Sequence, residues 1–256
     1  MKLRDLDLPR LNSATKYPSI KTYHPIGEKG RLTEGPPDGL EALGEGALIG
    51  ITEKIDGTNA RVIVGDEGEV ILGSRENLLH YHGDLLFDPA MGIVTGLQKI
   101  LGPEHLGPVF YPGTTRVLYG EFYGHKVGAA SKHYTATDAV GFRLFDVAVF
   151  VNVALHFILE KPIEEISAWR EAGGQAFVLP GGYGPTTVPY LGATTAKEMP
   201  RTLADTRAWL ERFRVSKAGL DVADGRAEGV VVRDANGRWV RKIRFQDYDH
   251  TLQGSR

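Results

Sequence analysis

Residues 50–64 read GITEKIDGTNARVIV, two apolar, β-branched runs flanking Lys54, Asp56, Gly57, Thr58 and Asn59. Ile, Val and Thr favour extended backbone, so the flanks read as strands and the polar centre as their turn. A lysine at such a strand end is ordinarily a solvated rim charge. It becomes a nucleophile where burial or neighbouring cations lower its pKa. Lys-x-Asp-Gly arises by chance in roughly one chain in twenty of this length. The rest of the sequence must therefore decide between the two readings.

The chain has 256 residues, 42% of them hydrophobic, enough for one large core or two small ones. Net charge is -2, so overall charge gives no case for nucleic acid, and any such binding must come from a local basic patch. With no cysteine, disulfides, thiolate catalysis and cysteine-ligated zinc are excluded. The N-terminal MKLRDLDLPR lacks the apolar core of a signal peptide, and no apolar run reaches membrane-spanning length. A cytoplasmic location and no membrane partner are the expectation.

Outward from the opening stretch, residues 47–74 read as a three-strand meander, ALIGITEK, TNARVIV and EVILGSR, with a hairpin turn at Gly65–Gly68. Residues 116–123 and 141–151 are further strands, the latter apolar enough to lie inside a sheet. Helical spacing predicts helices over Pro162–Ala172, over Leu203–Val215 and near Ile93–Leu101. Glu228–Arg233 and Arg238–Phe245 flank Asp234-Ala-Asn-Gly237, a hairpin signal. Strands, helices and strands again, without βαβ alternation, predict an α+β fold of antiparallel sheets flanked by helices. The Gly-, Pro- and Thr-dense residues 173–199 predict no element, and no linker divides the chain, which reads as a single domain over 1–256.

The residues able to carry chemistry recur in a fixed order. After Lys54 come Ser74-Arg75, Tyr119-Gly-Glu121-Phe122, Phe142-Arg-Leu-Phe145-Asp146-Val147, Glu228-Gly-Val-Val-Val-Arg233 and Lys242-Ile-Arg244. Lys242 and Arg244, two apart on a strand, share a face and can clamp phosphate oxygens. Glu121 and Glu228 lie at strand boundaries, suited to a ribose hydroxyl or a divalent cation. Phe145 offers a ring for a base, and Arg75 a fork for sugar or phosphate. Each has a bland reading as core or rim residue. Together those readings leave the ordered series unexplained. His80-Tyr-His82-Gly-Asp84 reads as a polar loop before it reads as a metal site, and Gly181–Gly184 matches a phosphate loop only in glycine content.

That order resembles the covalent nucleotidyltransferases: ATP-dependent DNA ligases, RNA ligases and mRNA capping enzymes. The local match is closest to RNA ligases of the type-2 family, which seal nicked duplex RNA. Glu53-Lys-Ile-Asp-Gly-Thr-Asn59 is similar to their nucleophile motif, and Lys16-Tyr-Pro-Ser-Ile20 to a segment near their N-terminus. The resemblance runs from about residue 16 to residue 245. It implies a nucleotidyltransferase (ATP-grasp-like ligase adenylylation) domain using ATP with Mg²⁺ or Mn²⁺. Lys54 would form the lysyl-AMP bond, while Glu53 and Asn59 would hold adenosine and its phosphate. Arg75 and Glu121 would contact ribose, and Phe145 with Asp146 would line the adenine and metal side. Glu228 would support the metal, and Lys242 and Arg244 would hold the α-phosphate and triphosphate. The family usually has lysine where Arg244 stands, which keeps the charge but not the compact head.

DNA ligases and capping enzymes continue into an OB-fold domain, and type-2 RNA ligases into a helical one, whereas twelve residues follow Arg244 here. The expectation is a chain with no appended domain, a departure from the family. The resemblance implies that type-2 ligases self-adenylylate without theirs, whereas DNA ligases and capping enzymes lean on the OB domain, which favours RNA ligation over DNA-nick ligation or guanylyl transfer. The expected partners are RNA 5′-phosphate and 3′-hydroxyl ends in a nicked or splinted duplex, gripped by a patch of Arg75, Arg143, Arg233, Arg238, Arg241 and Arg244. A protein partner would stand in for the appended domain. A catalytically silent nucleic-acid-binding module is the rival from another class.

Overall fold

The computed structural model describes residues 2–81, 84–85, 91–102, 106, 111–178 and 186–253. The chain divides into two compact units. The first comprises residues 1–19, 57–131 and 137–187, and the second residues 20–56, 132–136 and 188–256.

The first unit holds a seven-stranded sheet. Its long strands are β3 (Thr58–Val64), β4 (Val70–Ser74), β5 (Leu78–Tyr81), β7 (Thr114–Gly124) and β8 (Val140–Val151), with short β6 (Asp84–Leu85) and β9 (Phe177–Val178) at the edges. The order is β6-β5-β4-β3-β7-β8-β9, antiparallel throughout. Both faces are covered, which explains the near-continuous apolar runs in β3 and β8. Ala60, Val62 and Val64 pack with Ile93, Val94 and Leu97 of α2 (Ile93–Ile100), whereas Ile63 joins the cluster containing Leu11 and Ala14 of α1 (Leu8–Ala14). Leu155 of α3 (Asn152–Leu159) and Ile166 of α4 (Ile163–Glu171) complete that second layer.

The second unit is a five-stranded sheet ordered β1-β12-β11-β2-β10. Its strands are β1 (Lys21–Thr22), β2 (Leu48–Lys54), β10 (Tyr190–Thr195), β11 (Gly229–Asp234) and β12 (Val240–Arg244). All pairs are antiparallel except the two-residue β1 against β12. Ile49, Ile51, Val230, Val232 and Ile243 project from one face into a core with Leu203 and Leu210 of α5 (Leu203–Leu210) and Tyr248 of α6 (Phe245–Gln253). Among the described residues, no helix is long and apolar enough to cross a membrane.

The α+β architecture of antiparallel sheets flanked by helices is as expected. The three-strand meander is corrected: β2 pairs with β10 and β11, whereas β3 pairs with β4 and β7. The chain changes sheet at Asp56-Gly57, where it also passes from one unit to the other. Only glycine fits there, because a Cβ on Gly57 would come 2.4 Å from the Phe122 carbonyl oxygen. A spacing of two to four polar residues suits a hairpin equally well, and the partners of each strand are set by distant sequence. β10, inside the unassigned residues 173–199, is hidden by Gly192 within it and Pro189 just before it. Helix α1 went unread despite legible signals, Asp7 as its cap accepting from the Arg10 N–H and a proline in its first turn.

Candidate active site

In the second unit, β2 alternates Ile49, Ile51 and Glu53 toward the core with Gly50, Thr52 and Lys54 on the other face. Gly229 is the direct partner of Lys54 on one side and of Arg244 on the other. A Cβ on Gly229 would meet the Ile243 carbonyl oxygen at 2.0 Å, so glycine is what lets this row close. The row brings three charges together just beyond the strand ends. Lys54 Nζ lies 2.5 Å from Glu228 Oε2, and Arg244 Nη1 lies 3.7 Å from Glu228 Oε1. Arg244 is itself fixed by a two-pronged pair with Asp247, at 2.8 Å for each bond. Burial pushes the Glu228 carboxyl above its ordinary pKa, opposed by the ammonium of Lys54 and reinforced by the charge of Asp56. Lys242 is two residues before Arg244, opposite Val231, and shares the Lys54 face, as the sequence spacing requires.

Glu53 lies on the opposite face and is 2% exposed. Its Oε1 accepts from the Ser216 hydroxyl, and its Oε2 from the Lys217 N–H at 2.7 Å. It therefore ties the loop before β11 to β2. Residues 132–136 support the turn after Lys54 in the same way. The Asp56 N–H donates to the buried Tyr134 hydroxyl at 2.8 Å, while the Tyr134 carbonyl accepts from the Leu220 N–H at 2.8 Å. Asp221 accepts from the Thr135 hydroxyl at 2.8 Å and the Ala136 N–H at 2.6 Å. Sequence reading missed Tyr134, Ser216, Asp221 and Asp247. Only Asp247, one helical turn after Arg244, had a local signal.

In the first unit, Asn59, Glu121 and Arg143 form one lateral row across β3, β7 and β8. Asn59 Oδ1 is buried and has no hydrogen-bond partner among the described residues. Arg75, just past β4, is largely exposed and donates to the Ser19 hydroxyl at 3.1 Å. Phe145 is the extra residue of a β-bulge, since Tyr119 faces Asp146 while Gly120 faces Leu144. The bulge brings Phe145 and the buried Asp146 to Tyr17. The Tyr17 ring meets Phe145 edge-on at 5.0 Å, and its hydroxyl donates to Asp146. Tyr17 belongs to the Lys16–Ile20 segment, and its contact with Asp146 spans 129 residues.

Among the described residues, no group of three or more His, Cys, Asp or Glu side chains could hold a metal by itself. Mg²⁺ needs only one or two carboxylates beside substrate phosphates. Glu228, near enough to Asp56 to feel its charge, suits that requirement. His80 is hydrogen-bonded to Gln98 at 3.3 Å. His82 and Gly181–Gly184 lie outside the described residues.

Comparison with known structures places this arrangement in a defined fold. The chain is similar to three structures of the Naegleria gruberi RNA ligase. One is a mutant with AMP and Mn, at 17% identity and TM-score 0.52, covering 91% of this chain and 62% of that one. A second is a mutant with ATP and Mn, at 17% identity and TM-score 0.53, covering 92% and 63%. The third, with PPi, shows 16% identity and TM-score 0.53, covering 94% and 62%. The chain thus spans less than two thirds of the length of these proteins. No curated protein matches it significantly. The RNA ligase family model matches residues 48–248, from the start of β2 into α6, and the chain belongs to the RNA ligase family.

Proposed function

We propose that this chain is an ATP-dependent RNA ligase working through a covalent lysyl-AMP on Lys54. The observation that carries the proposal is the placement of Lys54 Nζ at a strand end, against Glu228, with Arg244 in the same charged row. Family membership and the AMP, ATP, Mn and PPi bound to the Naegleria gruberi enzyme support it.

Lys54 Nζ attacks the ATP α-phosphorus; an N–P bond forms and the bond to pyrophosphate breaks. The RNA 5′-phosphate then takes AMP from Lys54, and a 3′-hydroxyl displaces AMP to form the phosphodiester. Lys242 and Arg244, on one face, hold the phosphates, and the fork to Asp247 keeps Arg244 from swinging away. Asn59, Arg75, Glu121 and Phe145 bind the nucleoside, with the orphaned Asn59 Oδ1 as an acceptor. Glu53 acts by bracing the nucleophile strand. Glu228 would hold Mg²⁺ or Mn²⁺, which would neutralise charge on the phosphate oxygens; Asp146 is a metal-side residue by the resemblance alone. The proposed substrates are RNA ends in a nicked or splinted duplex.

The test is covalent labelling by α-labelled ATP with Mg²⁺, read on a denaturing gel. Wild type takes an acid-labile AMP, and Lys54→Met, which keeps most of the stem volume, takes none. Label persisting on Lys54→Met, or preferential labelling by GTP, overturns the reading.

A further inference from the structure

The five-stranded sheet buries one face, and its other face has an unusual composition. The strand positions directed away from the core carry Lys54, Arg233, Lys242 and Arg244 and no Asp or Glu. The carboxylates of these strands, Glu53 and Asp234, project to the opposite face. Glu228, outside the strands, is engaged by Lys54 and Arg244. Arg241 also leaves this face: it binds Asp38 at 2.9 Å, which removes it from the arginine patch expected from sequence.

The cationic track runs from the Lys54 row to the Gly50–Arg233 row, four residues along β2. At about 3.3 Å per residue that is about 13 Å, room for about four nucleotides at the stacked rise of about 3.4 Å. Beside its middle stands Tyr190, 67% exposed, the partner of Thr52, with its ring reaching toward Gly50. Gly50 has no side chain beside it, and a Cβ there would lie 3.9 Å from Tyr190 Cε2 and 3.8 Å from the Arg233 carbonyl oxygen. The ring therefore borders a bare strip of backbone with an arginine strand beyond it. Lys54 and Arg244 are engaged by Glu228 and Asp247, and Lys242 and Arg233 are the further cations of the strip. An exposed aromatic beside such cations is how proteins bind single-stranded nucleic acid, by stacking a base and tracking phosphates.

We infer that this face binds an unpaired RNA strand at the reacting end, as at a splinted break whose end is left unpaired, with Tyr190 stacking a base and Arg233 contacting a phosphate. The inference rests on the ligase reading and extends it from the nucleotide to the substrate strand.

The experiment measures binding of a short, fluorescent, 5′-phosphorylated single-stranded RNA by anisotropy, without ATP, across a salt series. Tyr190→Ala weakens binding at least about fivefold, whereas Tyr190→Phe binds as wild type does because the ring is kept. Arg233→Ala weakens binding and lowers the slope of log Kd against log salt by about 0.7, the value for one single-strand phosphate contact. Phe157→Ala, an exposed aromatic of the first unit, leaves affinity unchanged. Unlabelled single strand competes better than duplex of equal length. Wild-type affinity in Tyr190→Ala overturns the inference, as does equal weakening by Tyr190→Phe. Absence of RNA binding by wild type also overturns it, and would leave the face to a protein partner. Failure of the ligase reading is separately visible, as absence of AMP on Lys54 when no RNA is present.

Discussion

Lys54 and Glu228, 174 residues apart, meet because Gly229 is the direct strand partner of Lys54 and a side chain there would collide with the Ile243 carbonyl. The pair is 23% and 13% exposed at its side chains, so it is screened less than a surface ion pair.

Glu228→Ala and Lys242→Ala should each lower adenylylation of Lys54 at least tenfold, about 1.4 kcal/mol of transition-state stabilisation. Arg244→Lys should be slower than wild type but faster than Arg244→Ala. The charge survives, while the two-pronged contact to Asp247 is lost. Single-turnover labelling rates decide the order, and wild-type rates in both alanine variants would remove this hairpin from the chemistry.

Gly57→Ala should destabilise the protein by about 1–3 kcal/mol, since its Cβ would press on the Phe122 carbonyl oxygen and the Tyr123 Cβ. The strain falls where β3 begins to pair with β7, at Thr58 opposite Phe122. Denaturant unfolding measures it. An unchanged midpoint would mean that the turn relaxes without disturbing the pairing.

His24 gives stability a dependence on mildly acidic pH. The ring is buried, donates from Nε2 to the Arg201 carbonyl at 3.1 Å and accepts at Nδ1 from the Tyr248 hydroxyl at 2.7 Å. Burial lowers its pKa below the ordinary 6.5, so the neutral form is preferred in the folded state. Below that value the unfolded chain binds a proton that the folded chain refuses. Stability is therefore full above about 6.5 and falls as pH drops toward the folded pKa, by at most about 1.4 kcal/mol per pH unit. Melting temperatures between pH 7.5 and 5.5 should fall for wild type and stay flatter for His24→Gln. Parallel curves would place the acid sensitivity elsewhere.

The local chemistry of the chain was written in its sequence. Periodicity marked β2, β3, β4, β7, β8 and the closing hairpin, because each buries an apolar set at a fixed local spacing. The spacing of Lys242 and Arg244 put both on one face, and the Lys54 strand end was legible from the turn residues after it. Tertiary structure decided the rest. Whether Lys54 and Asn59 belong to one sheet depends on which distant strands cover each of them, and β11 and β7 are drawn from far along the chain. The bulge that turns Phe145 and Asp146 to Tyr17 depends on a register that no single strand specifies. Tyr134 bracing Asp56, Glu53 spent on Ser216 and Tyr190 beside bare Gly50 are contacts between segments with no common local pattern. Short-range spacing fixes which face a side chain takes; only the packed chain fixes what stands opposite it.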